Sequence, residues 1–273
     1  MIISRITMQK KNKSRYNIYL KKDQDESFGF GVHEDLLIRH ALRKGMEISD
    51  EEIEEIKKQD AIHQYYTLSI NYLSYRMRAE SEMVDYLTKK EADEEQIAFV
   101  MEKLIAEKLI DDLAFSEAYV QTKINTTSKG PNKIKQELFQ KRVSPDTIER
   151  AMERYPLELE VEKAAKLLAK KLRSSKKESF RVQLDKAKQT LMQQGYSMEA
   201  IQLAEQELDL EKDEDAEKEA VFHQGEKIWA KQARKHEGGM LIQKVKASLY
   251  QKGFQADLIQ LFIDEKLNEV EVD

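Results

Sequence analysis

Three lysine pairs are the residues of this 273-residue chain whose type and spacing could do chemistry. Each pair flanks a single apolar residue, and the pairs are Lys133 and Lys135, Lys186 and Lys188, and Lys244 and Lys246. Rows of lysines can bind a phosphate backbone or an acidic protein groove. They can equally border a helical core, with buried aliphatic stems and solvated ammonium groups. Both interpretations stay open, and further positive charge precedes the pairs at Arg76, Arg78, Lys123 and Lys129.

Other residue types give little support for catalysis or for a bound cofactor. No Gly-x-x-x-x-Gly-Lys loop is present, and Gly29 and Gly31 lie in a strand-like segment. The five histidines show no HExxH spacing, so we interpret them as surface or half-buried residues. The absence of cysteine excludes disulfides, thiol nucleophiles and thiolate metal sites. We therefore predict a protein without enzymatic activity, metal or cofactor.

Charge alternates strongly along the chain although the net charge is only −5. Residues 1–22 hold seven cations and no acid, whereas residues 91–112 hold eight acids and two lysines. A basic segment at 163–188 is followed by an acidic one at 205–219 and a basic one at 227–252. This alternation predicts a folded body with oppositely charged surfaces, or else solvated helix faces with local ion pairs.

The chain shows no signal for a membrane or for export. A run of about 18 apolar residues, which a membrane-spanning helix needs, does not occur. The first residues, MIISRITMQKKNK, lack the apolar segment of a secretory signal. We therefore expect a cytoplasmic protein with no membrane partner.

An internal repeat organises most of the chain. A leucine is followed ten residues later by an isoleucine four times, and these leucines are 51, 53 and 58 residues apart: Leu87, Leu138, Leu191 and Leu249. An apolar residue precedes each leucine by four positions, which places both on one helix face. Gly195 and Gly253 then predict a left-handed helix end in the last two copies. The first two copies have Glu91 and Arg142 there, so their turns either tolerate strain or close differently.

These repeats predict a mainly α-helical protein. Further helices are expected at 60–77, 112–126, 158–175 and 214–236, which makes four tandem three-helix repeats in an elongated stack. We place the repeats at 60–110, 111–156, 157–210 and 211–273.

The N-terminal segment, residues 1–59, has a different pattern. The stretches IISRITM, SRYNIYL and SFGFGV predict a small antiparallel β meander. A short helix at about 33–44 should stop at Gly45. Ser49 and Glu52 then form a capping box that starts a second, acidic helix.

At this point the residues resemble a known family. The segments NYLSYRMRAESEMVDYL and LIDDLAFSEAYVQTKINTTSKGPNKIKQEL are similar to the RecX family, cytoplasmic regulators of the bacterial RecA recombinase. The matching positions are Leu73, Arg76, Glu82, Met83, Asp111, Asp112, Phe115, Gly130, Pro131, Ile134, Glu137 and Leu138. The clear resemblance covers about residues 60–155, and the remainder is similar to longer members of the family.

The resemblance implies a function and a partner. Members bind the RecA filament on single-stranded DNA in its groove and limit filament growth, ATP hydrolysis and strand exchange, and some bind DNA directly. We expect the same of this chain, as a non-enzymatic monomer whose ten basic residues named above contact RecA or DNA. A stand-alone nucleic-acid-binding helical repeat protein is the alternative, and a purely structural helical scaffold is a third possibility.

Overall fold

The computed structural model describes residues 1–23, 25–173, 177–208 and 213–272. Part of the acidic segment at 205–219, residues 209–212, therefore lies outside the described residues. The chain divides into two compact units, Met1–Ser116 with Lys141–Val143 and Glu117–Gln140 with Ser144–Asp273. This division passes through the second repeat.

The N-terminal segment forms the expected three-stranded antiparallel meander. Its strands are β1 (Ile2–Met8), β2 (Arg15–Lys22) and β3 (Asp25–His33), in the order β1-β2-β3. Ile18 faces Ile6 on one neighbour and Phe30 on the other. Because alternate residues point to one side of a strand, Ile18, Leu20, Phe30 and Val32 are buried on one face.

Two helices follow the sheet, and both differ from the expectation. Helix α1 (Glu34–Arg39) ends well before Gly45, because Ala41 takes the left-handed conformation with φ of 47° and the Leu42 N–H donates to Leu37. Helix α2 (Asp50–Leu73) begins at the predicted capping box of Ser49 and Glu52. It has no break near residue 60, since no glycine or proline interrupts it, so the separate helix expected at 60–77 is wrong. The boundary that we placed between residues 59 and 60 falls inside α2.

The rest of the chain forms the predicted three-helix repeats. The first repeat consists of α2, α3 (Glu80–Lys89) and α4 (Glu94–Ala106), and the second of α5 (Asp112–Thr126), α6 (Pro131–Gln140) and α7 (Pro145–Met152). The third consists of α8 (Leu157–Arg173), α9 (Phe180–Gln193) and α10 (Met198–Glu207), and the fourth of α11 (Glu214–Gln232), α12 (Gly238–Gln251) and α13 (Ala256–Val272). The four leucine anchors are fully buried. No helix among the described residues is long and apolar enough to cross a lipid bilayer.

The turn after each second helix has the same left-handed conformation in all four repeats. Glu91 and Arg142 have φ of 67° and 59°, close to the glycine positions with 93° at Gly195 and 83° at Gly253. In the first repeat, the N–H groups of Glu91 and Ala92 donate to Thr88 and Leu87, which is the Schellman pattern. The Glu91 turn therefore closes with the same hydrogen bonds as the Gly195 and Gly253 turns, and Arg142 shares their left-handed backbone. The strain cost is roughly 1–2 kcal/mol for each non-glycine residue.

The start of a second helix donates hydrogen bonds to the corresponding turn of the next repeat. The Gly130 N–H donates to the Gln194 carbonyl at 2.9 Å, immediately before Gly195. The hydroxyls of Ser81 and Ser179 donate to the equivalent carbonyls of Lys141 and Lys252. A Cβ at Gly130 would lie 2.4 Å from the Gly195 carbonyl carbon, so only glycine permits this approach.

Candidate partner-binding surface

The three lysine pairs lie on the second helices α6, α9 and α12, all in the second unit. The apolar residue between the lysines of each pair is buried, namely Ile134, Ala187 and Val245. Neighbours of a buried position point about 100° to either side of it. As a result, the first lysine of each pair is exposed, and the second is half-buried.

The second lysines are used within their own repeats. The Lys135 ammonium lies 2.8 Å from Glu149 on α7, and Lys188 lies 2.6 Å from Glu205 on α10. Lys246 donates to the Gln260 side chain on α13 at 2.6 Å. Each of these contacts joins the second helix of a repeat to its third helix. For Lys135, Lys188 and Lys246, the structure thus matches the interpretation of lysines that border a core.

The first lysines point into solvent. Lys133 donates to Gln136 on its own helix at 3.2 Å, and Lys186 lies 2.6 Å from Glu178. For Lys244, no side-chain hydrogen bond or ion pair is found within the part of the chain that the structure describes. Exposed pairs of this kind contribute little to stability, so these lysines can exchange their contacts for those of a partner.

Large apolar side chains are also exposed on these helices, about 120° around the helix axis from the first lysines, and our sequence analysis missed them. Phe139, Met192 and Tyr250 are 66%, 42% and 69% exposed. Each directly follows a leucine anchor, so alignment of the repeats would have found them. We define the lysine–apolar surface as Lys133, Lys186, Lys244, Phe139, Met192 and Tyr250.

In the first repeat, the two predicted arginines have structural contacts. Arg76 donates to Glu82 at 2.9 Å and to the Met77 carbonyl at 2.9 Å. The guanidinium of Arg78 lies 3.9 Å from the ring centre of Tyr72, which stacks on Tyr86. Both arginines thereby hold the segment between α2 and α3.

Glu82 is the centre of this arrangement. Burial alone would raise its pKa, but hydrogen bonds from Arg76, the Ala79 N–H and Lys141 outweigh burial and lower the pKa of Glu82 to about 2. The carboxylate caps α3 and lies 3.1 Å from the Lys141 ammonium. Glu82 therefore remains charged at neutral pH and acts inside the first unit.

Lys123 and Lys129, the other two predicted site residues, converge on Glu137. Lys129 makes an ion pair with Glu137, and the Lys123 ammonium lies 3.9 Å from it. The Tyr119 hydroxyl donates to the same carboxylate at 2.8 Å. Burial would raise the pKa of Glu137, but the hydrogen bonds from Lys129 and Tyr119 lower it. This cluster holds the loop before α6 against that helix. None of its residues belongs to the lysine–apolar surface.

Models of one known family match most of the chain. The model of the regulatory protein RecX N-terminal domain matches residues 1–49. Models of the first and second three-helix domains of RecX match residues 66–104 and 111–152. The model of the third three-helix domain matches twice, at 158–204 and 215–263.

Individual relatives agree with the family models. The regulatory protein RecX of Oceanobacillus iheyensis is 47% identical over 98% of both chains. That of Bacillus cytotoxicus is 38% identical over 98% of this chain and 99% of its own. A crystal structure of regulatory protein RecX has 36% identity and a TM-score of 0.66, over 75% of this chain and 98% of that one. The RecX structure from Lactobacillus salivarius has 37% identity and a TM-score of 0.55, over 56% and 99%. The chain belongs to the RecX family of regulatory proteins.

Proposed function

We propose that this protein is a non-enzymatic regulator that binds the RecA filament on single-stranded DNA. It lies in the filament groove and inhibits filament growth, ATP hydrolysis and strand exchange. The observation that supports this proposal most is the near full-length similarity to regulatory RecX proteins. The family resemblance is the basis for RecA as the partner. We propose that the protein acts in the cytoplasm.

The lysine–apolar surface supports a partner that combines acidic and apolar groups. A bare phosphate backbone attracts lysines but gains little from an aliphatic side chain such as Met192. A protein groove offers carboxylates to the three lysines and apolar pockets to Phe139, Met192 and Tyr250. The acidic balance of the chain, with net charge −5, also disfavours tight binding to DNA alone. We therefore assign this surface to a RecA groove.

A charge-reversal experiment tests the proposal. ATP hydrolysis by RecA on single-stranded DNA is measured while the full-length protein is titrated in. We expect inhibition at amounts well below one molecule per RecA protomer. For the variant with Lys133→Glu, Lys186→Glu and Lys244→Glu, the concentration needed for the same inhibition should rise at least about tenfold, because three attractive contacts become repulsive. Helix content and melting temperature should be unchanged.

Matched variants separate the surface from net charge. Lys58→Glu, Lys89→Glu and Lys231→Glu change three exposed lysines outside the repeated positions, and this variant should inhibit as the wild type does. Phe139→Ala with Tyr250→Ala should weaken inhibition without a change in charge. Equal inhibition by all variants would remove the lysine–apolar surface from the mechanism. No effect of the wild type on RecA, with strong salt-dependent binding to DNA alone, would replace the proposal by the stand-alone nucleic-acid-binding function.

A further inference from the structure

The first unit contains a cluster of two histidines and one aspartate that is independent of the proposed function. His33 ends β3, Asp35 lies in the first turn of α1, and His63 lies on α2. One possible ligand atom from each residue lies within 4.8 Å of the other two. The Asp35 carboxylate is 3.4 Å from His33 Nδ1 and 3.2 Å from His63 Nε2. Residues of β3, α1 and α2 thus bring three potential metal-binding atoms close together.

Contacts around the cluster fix the backbone of His33 and pack the two histidine rings together. Asp60 is 3% exposed and accepts the His33 N–H at 2.8 Å. Arg15 donates to both oxygens of Asp60, at 3.2 and 2.6 Å, which fixes that carboxylate. The imidazole rings of His33 and His63 are stacked with centres 4.0 Å apart. Because Asp60 is engaged in these contacts, it positions His33 and leaves Asp35 as the carboxylate that faces both rings.

We propose that His33, Asp35 and His63 bind one divalent transition-metal ion of the Zn²⁺ class, with water completing the coordination. Imidazole nitrogens select Zn²⁺, Co²⁺, Ni²⁺ or Cu²⁺ over Mg²⁺ and Ca²⁺. Zinc lies about 2.0–2.2 Å from such ligands, so neighbouring ligand atoms in a tetrahedral site are roughly 3.4 Å apart. Both histidine–Asp35 distances already fit that spacing. Because imidazole lone pairs lie in the ring plane, binding requires the stacked rings to tilt until both nitrogens point at one ion. It also displaces the long 3.3 Å hydrogen bond from the Asp35 N–H to His33.

The position of the cluster determines how an ion reaches it and what a bound ion would stabilise. The Asp35 side chain is 62% exposed, whereas those of His33 and His63 are 20% and 23% exposed, so an ion enters from the Asp35 side. A bound ion would join the β3–α1 junction to α2 in addition to their apolar packing. The ion would therefore stabilise the sheet against α2 and have a structural role without any reaction.

Metal titration of the untagged full-length protein tests this site. After removal of metals with a chelator, Zn²⁺ is titrated by calorimetry, and Co²⁺ binding is followed by visible absorption. We expect one ion per chain and a higher melting temperature with Zn²⁺, but no response to Mg²⁺. His63→Gln should weaken Zn²⁺ binding by more than roughly tenfold, because loss of even an outer-shell partner costs 10–100-fold.

Two further variants make the result decisive. Asp35→Asn changes an exposed carboxylate, should fold normally, and should also lose affinity for Zn²⁺. His223→Gln changes a histidine outside the cluster, which contacts Lys227, and should bind as the wild type does. Absence of one-to-one binding, or equal binding by wild type, Asp35→Asn and His63→Gln, would overturn the proposal.

Discussion

The second helices of the four repeats have the same backbone conformation. The exposed side chains of the first one differ from those of the other three. Leu87 and Leu138 are both fully buried, and the following turns both contain a non-glycine residue in the left-handed conformation. At the outward position, however, α3 has Glu82 where α6, α9 and α12 have lysine. After the anchor leucine, α3 has Thr88 where the others have Phe139, Met192 and Tyr250.

The difference shows that repeat fold and repeat function are separable. Glu82 is bound by Arg76 and Lys141 and caps its helix, so it has a local structural role. Among the described residues, the Lys133 ammonium contacts only Gln136 on its own helix and remains available. The core positions therefore preserve the three-helix unit, while the solvent positions distinguish the first repeat from the lysine–apolar surface of the other three.

The largest effect should come from the positions that do not differ. We expect Leu87→Ala and Leu138→Ala each to lower the free energy of unfolding by about 3–4 kcal/mol, because each leaves a cavity in a closed core. Urea denaturation followed by circular dichroism measures both. A cost below about 1 kcal/mol for either variant would break the equivalence of the two repeats.

Two variants at the left-handed turns should change the free energy of unfolding by somewhat smaller amounts, one lowering it and the other raising it. Gly195→Ala should destabilise by roughly 2–3 kcal/mol, because Gly195 has φ of 93° and the new Cβ would lie 2.5 Å from the Lys133 nitrogen. Glu91→Gly should stabilise by about 1 kcal/mol, because glycine adopts φ of 67° without steric cost. Thermal melting of both variants measures these shifts. Destabilisation by Glu91→Gly would show that its side chain has a role beyond the turn.

The smallest effect concerns acid stability in the first repeat. The pKa of Glu82 is about 2 in the folded protein and near 4.5 when unfolded, so its contribution is present above pH 4.5. That contribution is lost as pH falls from about 4.5 towards 2. After solvent screening, we expect it to be about 1–2 kcal/mol. The difference in unfolding free energy between wild type and Glu82→Gln, measured against pH, should therefore shrink in acid.

Lys133→Gln is the matched control at the equivalent position of the second repeat. Its difference from wild type should not change across the same acid range, since no carboxylate of the described residues is bound to Lys133. A pH-independent difference for Glu82→Gln as well would contradict the structural role of Glu82.

Predictions from the sequence succeeded where short-range patterns decide the structure. The leucine anchors, the Ser49 capping box and the three strands were found because helix and strand periodicity place such residues on one face. They failed at α1 and α2. The Ala41 turn has no glycine to mark it, and the continuity of α2 through residue 60 has no signal beyond the absence of a breaker.

The candidate site was predicted only in part. The lysine pairs were recognised as repeated, but the sequence could not separate the solvated Lys133 from Lys135, which contacts Glu149 on α7. Arg76 and Lys129 looked equally available until packing placed Glu82 and Glu137 beside them. Whether a cation is free or paired depends on neighbours that fold back from other helices.

The sequence by itself determined the repeated helical unit, its buried anchors and its family, because these follow from spacings of four to ten residues and from local motifs. Only the tertiary structure decided which lysines face solvent and how Glu91 and Arg142 close their turns. It alone brought His33 and Asp35 beside His63, about thirty residues away along the chain. The physical reason is that long-range contacts depend on how helices and strands pack, and packing is set by the summed burial of many side chains rather than by any local spacing.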